Sequence, residues 1–287
     1  MRYRELRVPA PLDAWLECVW VLTAEPPGRG EPAEAQRILP DGCVELICHF
    51  GAPFLAVPQA GLASPQPACF VVGLLTSPLV VQPASASDTL GVRFRPGCAY
   101  PFFSCALDAL TDRAVSLEDL WGPAGRELWE RLAAERGDEA RLALIGRTLL
   151  HRLARAHRDR VTASAVGDLV RSAGRASVSV VAARAGVTAR HLQRRFAERV
   201  GTGPKALARI LRFQNSLRRR AAFAGGRTDW VRVAVDCGYA DQSHLIHDYA
   251  AFAGETPAGL LAAEGELSSY FTAPQRLAAL FDGRRYG

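Results

Sequence analysis

The chain has 287 residues, 49% of them hydrophobic and 22% charged, with 25 glycines and 18 prolines. It is too apolar for a disordered chain and long enough for two domains. No apolar run reaches the ~20 residues a membrane-spanning helix requires. The first ten residues carry Arg2, Arg4, Glu5 and Arg7 where a secretory leader would place an apolar stretch, so a cytoplasmic protein with no membrane partner is expected. The formal charge of +6 hides a gradient. Residues 1–140 hold 11 arginines against 18 acids, residues 141–230 hold 20 cations against 4 acids, and residues 231–287 hold 4 against 7. A basic block between acidic flanks points to a polyanionic partner for one part of the chain. Only one of its cations, Lys205, is a lysine; arginine suits planar, bidentate contact with phosphate or guanine.

In chain order, residues 1–103 read as β-rich. The apolar runs Trp15–Leu22, Cys43–Phe50, Cys69–Leu75, Leu79–Val81 and Leu90–Phe94 are short, and Pro/Gly clusters such as Pro40-Asp41-Gly42 and Arg95-Pro96-Gly97 separate them. Pro11–Val19 has the alternative of a short helix with Pro11 in its first turn. From Ser104 the apolar period becomes helical, through Leu107, Leu110, Leu117, Leu120, Leu128 and Leu132, and a helix over about 138–157 follows. The seven cysteines at 18, 43, 48, 69, 98, 105 and 237 form neither an even framework nor a zinc spacing. Free thiols are expected, with no metal and no cofactor.

The last third contains an internal repeat. Val178, Val181, Ala182, Ala185, Gly186 and Val187 recur 52 positions later as Trp230, Val233, Ala234, Cys237, Gly238 and Tyr239. After one inserted residue, His191, Leu192, Phe196, Ala197, Gly201 and Pro204 recur 53 positions later as His244, Leu245, Tyr249, Ala250, Gly254 and Pro257. Each copy reads as a short helix, a glycine turn and a second amphipathic helix stopped by Gly and Pro, which is the helix-turn-helix pattern. Residues 205–222 read as the helix joining the copies, about 27 Å long at ~1.5 Å per residue.

The segment from Val178 to Leu260 resembles the two-motif DNA-binding domain of AraC/XylS-type transcription regulators. The resemblance rests on Val181-Ala182-Ala183-Arg184-Ala185-Gly186-Val187-Thr188, His191-Leu192-Gln193-Arg194-Arg195-Phe196, Val233–Leu245 and Gly254-Glu255-Thr256-Pro257. It implies two recognition helices in successive major grooves of double-stranded DNA. With Leu192 and Phe196 facing the core, Arg190, Gln193 and Arg194 fall on the outer face of the first recognition helix at 100° per residue. With Leu245, Tyr249 and Phe252 inward, Ser243, Ile246 and His247 face outward in the second, with Gln242 at its edge. Arg pairs with guanine, Gln with adenine, and Ile246 suits a thymine methyl. The second helix departs from the family, with His247 where arginine is commoner and Asp248 beside it, so the first motif is expected to dominate DNA affinity. Arg212 resembles the arginine usual in the connecting helix, where a structural role is expected. Arg218–Arg220 and Arg152, Arg155 and Arg158 read as solvated or phosphate-near groups, and His191 and His244 as hydrogen-bonded helix residues.

Leu39–Leu46 and Gly91–Gly97 resemble the poorly characterised β-rich domain fused to some AraC-type regulators, for which a small-molecule effector is the family expectation. The residues Trp20, His49, Phe50, Phe94 and Tyr100 are candidate lining groups, although residues of these types are more often plain core. The expected architecture is α+β: a barrel- or cupin-like sensor at 1–103, a helical linker or dimerisation region at 104–160, a double helix-turn-helix domain at 161–265 and a tail helix at 266–287. Homodimerisation and contact with RNA polymerase are expectations of the same kind. No P-loop, nucleophile elbow or H-E-x-x-H motif is present, so enzymatic chemistry is not expected. The competing reading is a small-molecule- or metal-binding module whose DNA binding is secondary.

Overall fold

A computed structural model describes residues 1–26, 34–58, 60–103, 105–154, 159–220, 228–262 and 280–281. The N-terminal part contributes ten strands: β1 (Arg2–Leu6), β2 (Leu16–Ala24), β3 (Gln36–Ile38), β4 (Glu45–His49), β5 (Phe54–Ala56), β6 (Ser64–Pro65), β7 (Cys69–Val72), β8 (Leu79–Pro83), β9 (Ser87–Phe94) and β10 (Ala114–Ser116). They form two antiparallel sheets, ordered β1-β2-β9-β4-β7-β10 and β3-β8-β5-β6. All five apolar runs predicted as strands lie on these elements. The barrel-like expectation takes the form of two facing sheets.

Pro11–Val19 is not a helix. Leu12–Ala14 forms a single 3-10 turn, and the chain enters β2 at Leu16. Strand β2 lies between β1 and β9 and is buried on both faces, with Val19, Trp20, Val21 and Leu22 all nearly inaccessible. A strand covered on both faces is continuously apolar and loses the alternation that marks a half-exposed one. The sheet also takes its edge strand β10 from beyond residue 103. Ala114–Ser116 pairs with Val72–Phe70, inside a stretch read as helical.

The period-2 rule sorts the six-stranded sheet. Leu46, Cys48, Val71, Leu90, Val92 and Phe94 face a core shared with α1 (Leu117–Trp121), α2 (Pro123–Ala134) and α3 (Asp138–Leu153). Cys18, Trp20 and Leu22 face the smaller sheet and pack with Phe54 and Val81.

The remaining helices are α4 (Arg160–Arg171), α5 (Val178–Arg184), α6 (Ala189–Val200), α7 (Pro204–Arg220), α8 (Trp230–Asp236), α9 (Gln242–Ala253) and α10 (Pro257–Ala262). Of the tail helix expected at 266–287, only Leu280 and Phe281 are among the described residues; Leu280 is buried and Phe281 lies under the Arg218 guanidinium, 5.3 Å from its ring centre. The two halves share one hydrophobic core rather than meeting at a thin linker. Tyr100 donates to Glu198 at 3.0 Å, Thr111 donates to the Gly201 carbonyl, and the buried Gln214 amide donates to the Pro40 carbonyl at 2.6 Å. Single side chains scattered over more than 100 residues make this interface, so no local pattern announces it.

Candidate nucleic-acid interface

The repeat is an exact structural one. Helices α5 and α8 begin and end 52 residues apart, and α6 and α9 begin and end 53 apart, so the inserted residue sits in the second turn. Four N-caps keep the same two offsets. Ser177 accepts from the Val180 amide at 3.4 Å and Asp229 from Arg232 at 3.1 Å; Thr188 accepts from His191 at 3.2 Å and Asp241 from His244 at 2.8 Å. Each cap satisfies one of the amides a helix start leaves without a partner. Gly186 and Gly238 occupy the left-handed turn at φ +69° and +79°, a conformation that a side chain would strain.

The structure places the sequence-predicted contact residues as follows. Arg190, Gln193 and Arg194 are exposed on α6, while Leu192 and Phe196 are completely buried. Gln193 lies across the following turn, close enough to Gly203 that a Cβ there would come within 2.4 Å of the amide. On α9, Ser243, Ile246 and His247 are exposed and Gln242 is half-buried, with Leu245, Tyr249 and Phe252 in the core. Both outward triads therefore stand where the helical periodicity put them.

The structure divides the basic block into tethered and free arginines. Asp159, which caps α4, also grips α6: its carboxylate lies 2.8 Å from Arg195 and 3.2 Å from Arg199 and sits below the usual range, held there against its burial by hydrogen bonds from Thr162 and by these two cations. Arg171 pairs with Asp168 at 2.7 Å. Arg212 lies over the Tyr239 ring at 5.5 Å and so joins the connecting helix to the second turn. Arg218 binds the Asn215 carbonyl at 2.7 Å, and Arg152 stacks on Trp121 at 3.7 Å. Arg155 and Arg158 lie outside the described residues.

Asp248, the acid beside His247, has a fully buried side chain. The carboxylate takes Arg209 Nη2 at 2.6 Å and Nε at 3.0 Å, which ties α9 to α7. His191 accepts from Arg195 at 2.7 Å, and His244 packs edge-on against Tyr239; among the described residues no cluster has a metal-ligating arrangement.

A second site lies between the two sheets, where a cavity of about 80 Å³ opens. Its apolar wall includes Trp20, Leu22, Phe54 and Val81. Trp20 lies flat on Gly91, where a Cβ would fall 2.0 Å from the ring. One end carries His49, Gln66 and Thr89: His49 Nδ1 meets Thr89 at 2.9 Å and Nε2 meets Gln66 at 3.3 Å. Burial lowers the His49 pKa to about 4. The other end carries Asp41, Cys43, Glu45 and Arg93. Arg93 bridges Asp41 at 2.7 Å and Glu45 by a second, shorter contact. Burial raises Glu45 to about 7, with Arg93 opposing it.

Of the sequence-suggested lining groups, Trp20 and His49 line this cavity. Phe50 lies beneath the Arg141 guanidinium, Phe94 packs on Phe102, and Tyr100 faces Glu198. The charged end went unrecognised, although Glu45 and Arg93 stand at pocket-facing positions of otherwise apolar strands, a visible anomaly. The loop Leu39–Cys43 belongs to both sites. Leu39, Asp41 and Cys43 line the cavity, Pro40 accepts from Gln214 on α7, and a Cβ at Gly42 would lie 3.0 Å from Leu207 on the same helix.

Residues 181–263 match a family described as a helix-turn-helix domain, and residues 4–116 match a domain of unknown function (DUF6597). No curated protein matches the chain. Among solved structures, an apo variant of ToxT from Vibrio cholerae strain SCE256 aligns at 10% identity over 86% of this chain and 98% of its own, with a TM-score of 0.44. ToxT of the same strain with unsaturated fatty acid bound aligns at 10% identity over 86% and 97%, with a TM-score of 0.40. ToxT from Vibrio cholerae O395 bound to a methylnaphthalenyl butenoic acid aligns at 11% identity over 91% and 97%, with a TM-score of 0.42. The helix-turn-helix match coincides with the paired motifs, their matched caps and turns and the exposed Arg/Gln face, so the C-terminal part of the chain is a helix-turn-helix domain, preceded by a domain of unknown function.

Proposed function

We propose that the chain reads two successive major grooves on one face of the duplex, with α6 as the dominant reader and α9 as the weaker one, and that occupancy of the N-terminal cavity controls this binding. The observation that carries the first part is the repeat with its outward residues: Arg190, Gln193 and Arg194 against Gln242, Ser243, Ile246 and His247. Helix α7, 17 residues or about 26 Å long, joins the two motifs and suits grooves roughly 34 Å apart. The observation that supports control is the loop Leu39–Cys43, which is at once a wall of the cavity and a contact of α7. In this reading the chain works in the cytoplasm as a regulator without catalytic chemistry of its own, acting on RNA polymerase through the promoter it occupies. Among the described residues no helix is long and apolar enough to cross a membrane.

The test is a footprint and anisotropy titration of the full chain on the promoter region beside its gene. Protection of two major-groove patches about one helical turn apart is expected, and inserting about five base pairs between them, half a turn, should abolish high-affinity binding. A single protected patch indifferent to the insertion contradicts the two-helix reading.

A further inference from the structure

We infer that Thr111 and Asp112, with the loop Thr76–Pro78 that they hold, form a strut between the two recognition helices and fix the groove spacing that the chain accepts. This rests on the reading of α6 and α9 as two DNA readers and says what sets the distance between them.

Gly201 and Gly254 end α6 and α9 in the left-handed region, at φ +93° and +68°, and are equivalent points of the repeat. The N-terminal half meets both. At the first, the Thr111 hydroxyl donates to the Gly201 carbonyl, and a Cβ on Gly201 would lie 3.2 Å from the Leu107 carbonyl oxygen. Three residues earlier on α6, Glu198 accepts from Tyr100. At the second, a Cβ on Gly254 would lie 3.7 Å from the Pro78 ring, and the next residue, Glu255, faces Arg37 at 3.8 Å.

Asp112 joins the two contacts. It follows Thr111, and its carboxylate accepts from the Thr76 amide at 2.7 Å and from the Thr76 hydroxyl, two residues before Pro78. The backbones are paired alongside: the Asp112 amide donates to the Leu74 carbonyl at 3.1 Å and the Gly73 amide to the Arg113 carbonyl at 3.0 Å. Asp112 itself sits at φ +57°, where a residue with a side chain is uncommon and local hydrogen bonds must hold it. A continuous path thus runs from Gly201 through Thr111, Asp112, Thr76 and Pro78 to Gly254, and it includes no residue of α7.

Helix α7 holds α9 through Arg209 on Asp248 and Phe213 on Tyr249 and Phe252. A motif held by one helix alone can rock about that helix, and a second tie from another part of the chain restricts the movement. The tie is firmer at α6, where it is hydrogen-bonded, than at α9, where it is a proline contact and a longer, part-exposed ion pair. It therefore limits how far the second motif moves relative to the first without fusing the two. Inserting one base pair moves the second groove by about 3.4 Å and about a tenth of a turn, a displacement that a braced pair of helices resists. Thr111 and Asp112 are thus positioning residues for the DNA readers.

The experiment uses the full chain, first without DNA. Spin labels carried on genetically encoded non-cysteine residues replace Ala183 and Val235, exposed repeat-equivalent positions of α5 and α8, and pulsed EPR reads the distance between them. One narrow distribution is expected in the parent and a distribution about twofold broader in Asp112→Gly, where glycine keeps the left-handed backbone and removes the carboxylate. Thr111→Val, which removes the donor to Gly201, should broaden it likewise and stands as the second variant if the first fails to fold. Asp112→Asn tolerates the same backbone, keeps an acceptor for the Thr76 amide and should restore the parental width. On promoter DNA with one base pair inserted between the two protected patches, the parent is expected to lose about tenfold in affinity and both variants no more than about threefold. At the natural spacing all should bind within about threefold of one another. Distributions as narrow as the parent's in both variants, a parental spacing penalty in both, or a loss of affinity equal at every spacing overturns the inference. If the parent itself ignores the inserted base pair, the two-helix reading fails, and the distance distributions alone decide the strut.

Discussion

Removing the Arg209 side chain would leave the buried Asp248 carboxyl without its guanidinium partner. The Asp248 side chain has no solvent exposure, and Arg209 supplies both of its short contacts, at 2.6 and 3.0 Å. Breaking a buried pair from one side costs about 3–5 kcal/mol, because the remaining charge loses both water and partner. For a domain whose total stability is of order 5–15 kcal/mol, that is a large fraction. Arg209→Ala is therefore expected to lower the unfolding free energy by about 3–5 kcal/mol in guanidinium titrations followed by circular dichroism. The double substitution Arg209→Met with Asp248→Leu should come back to within about 1 kcal/mol of the parent, since an apolar pair of similar volume replaces a buried ion pair at little net cost. The same geometry predicts a null result on DNA. Asp248→Asn removes an acid that is buried and already paired, so affinity for promoter DNA should not rise. A loss under about 1 kcal/mol in Arg209→Ala, or several-fold tighter DNA binding in Asp248→Asn, would refute the placement of this pair.

Three further outcomes follow from single contacts. Thr188→Ala removes the cap of α6 and should cost about 1 kcal/mol, read as a shift in denaturation midpoint with unchanged slope. Gly91→Val drives a side chain into the Trp20 ring and should destabilise by about 1–3 kcal/mol; parental stability would contradict the assigned Trp20 position. His49 is neutral in the fold down to about pH 4, whereas an unfolded histidine protonates near 6.5. Its contribution is thus fully present above pH 6.5 and is lost as pH falls through 4, amounting to roughly 3 kcal/mol. The parent should lose that much relative to His49→Gln between pH 7 and pH 3, and parallel stability curves would sink the claim.

The helix-turn-helix half was legible because its signals are local. Capping residues, turn glycines and the apolar period lie within a few positions of one another, and the repeat states them twice. The outward triads on α6 and α9 needed only the 100° step per residue. What escaped were long-range pairings. Asp248 and Arg209 are 39 residues apart, and only packing shows that they pair. Gln214 and Pro40 are 174 residues apart, so the joint between cavity and connecting helix has no sequence signature. Strand β2 left a helical alternative open at its start because burial on both faces erases alternation. The charged end of the cavity was half-legible: Glu45 and Arg93 interrupt apolar strands at positions of one parity, but their pairing across β4 and β9 fixes their meaning.

The central claim is that α6 reads base edges with Arg190 and Arg194. The most direct measurement is fluorescence anisotropy of the full chain on promoter DNA and on base-substituted variants at fixed salt, for the parent, Arg190→Ala, Arg194→Ala and Gln242→Ala. Each arginine substitution is expected to cost about 1–3 kcal/mol and to flatten base preference at one position, with Gln242→Ala costing less. Unchanged affinity and unchanged base preference in both arginine variants would contradict it.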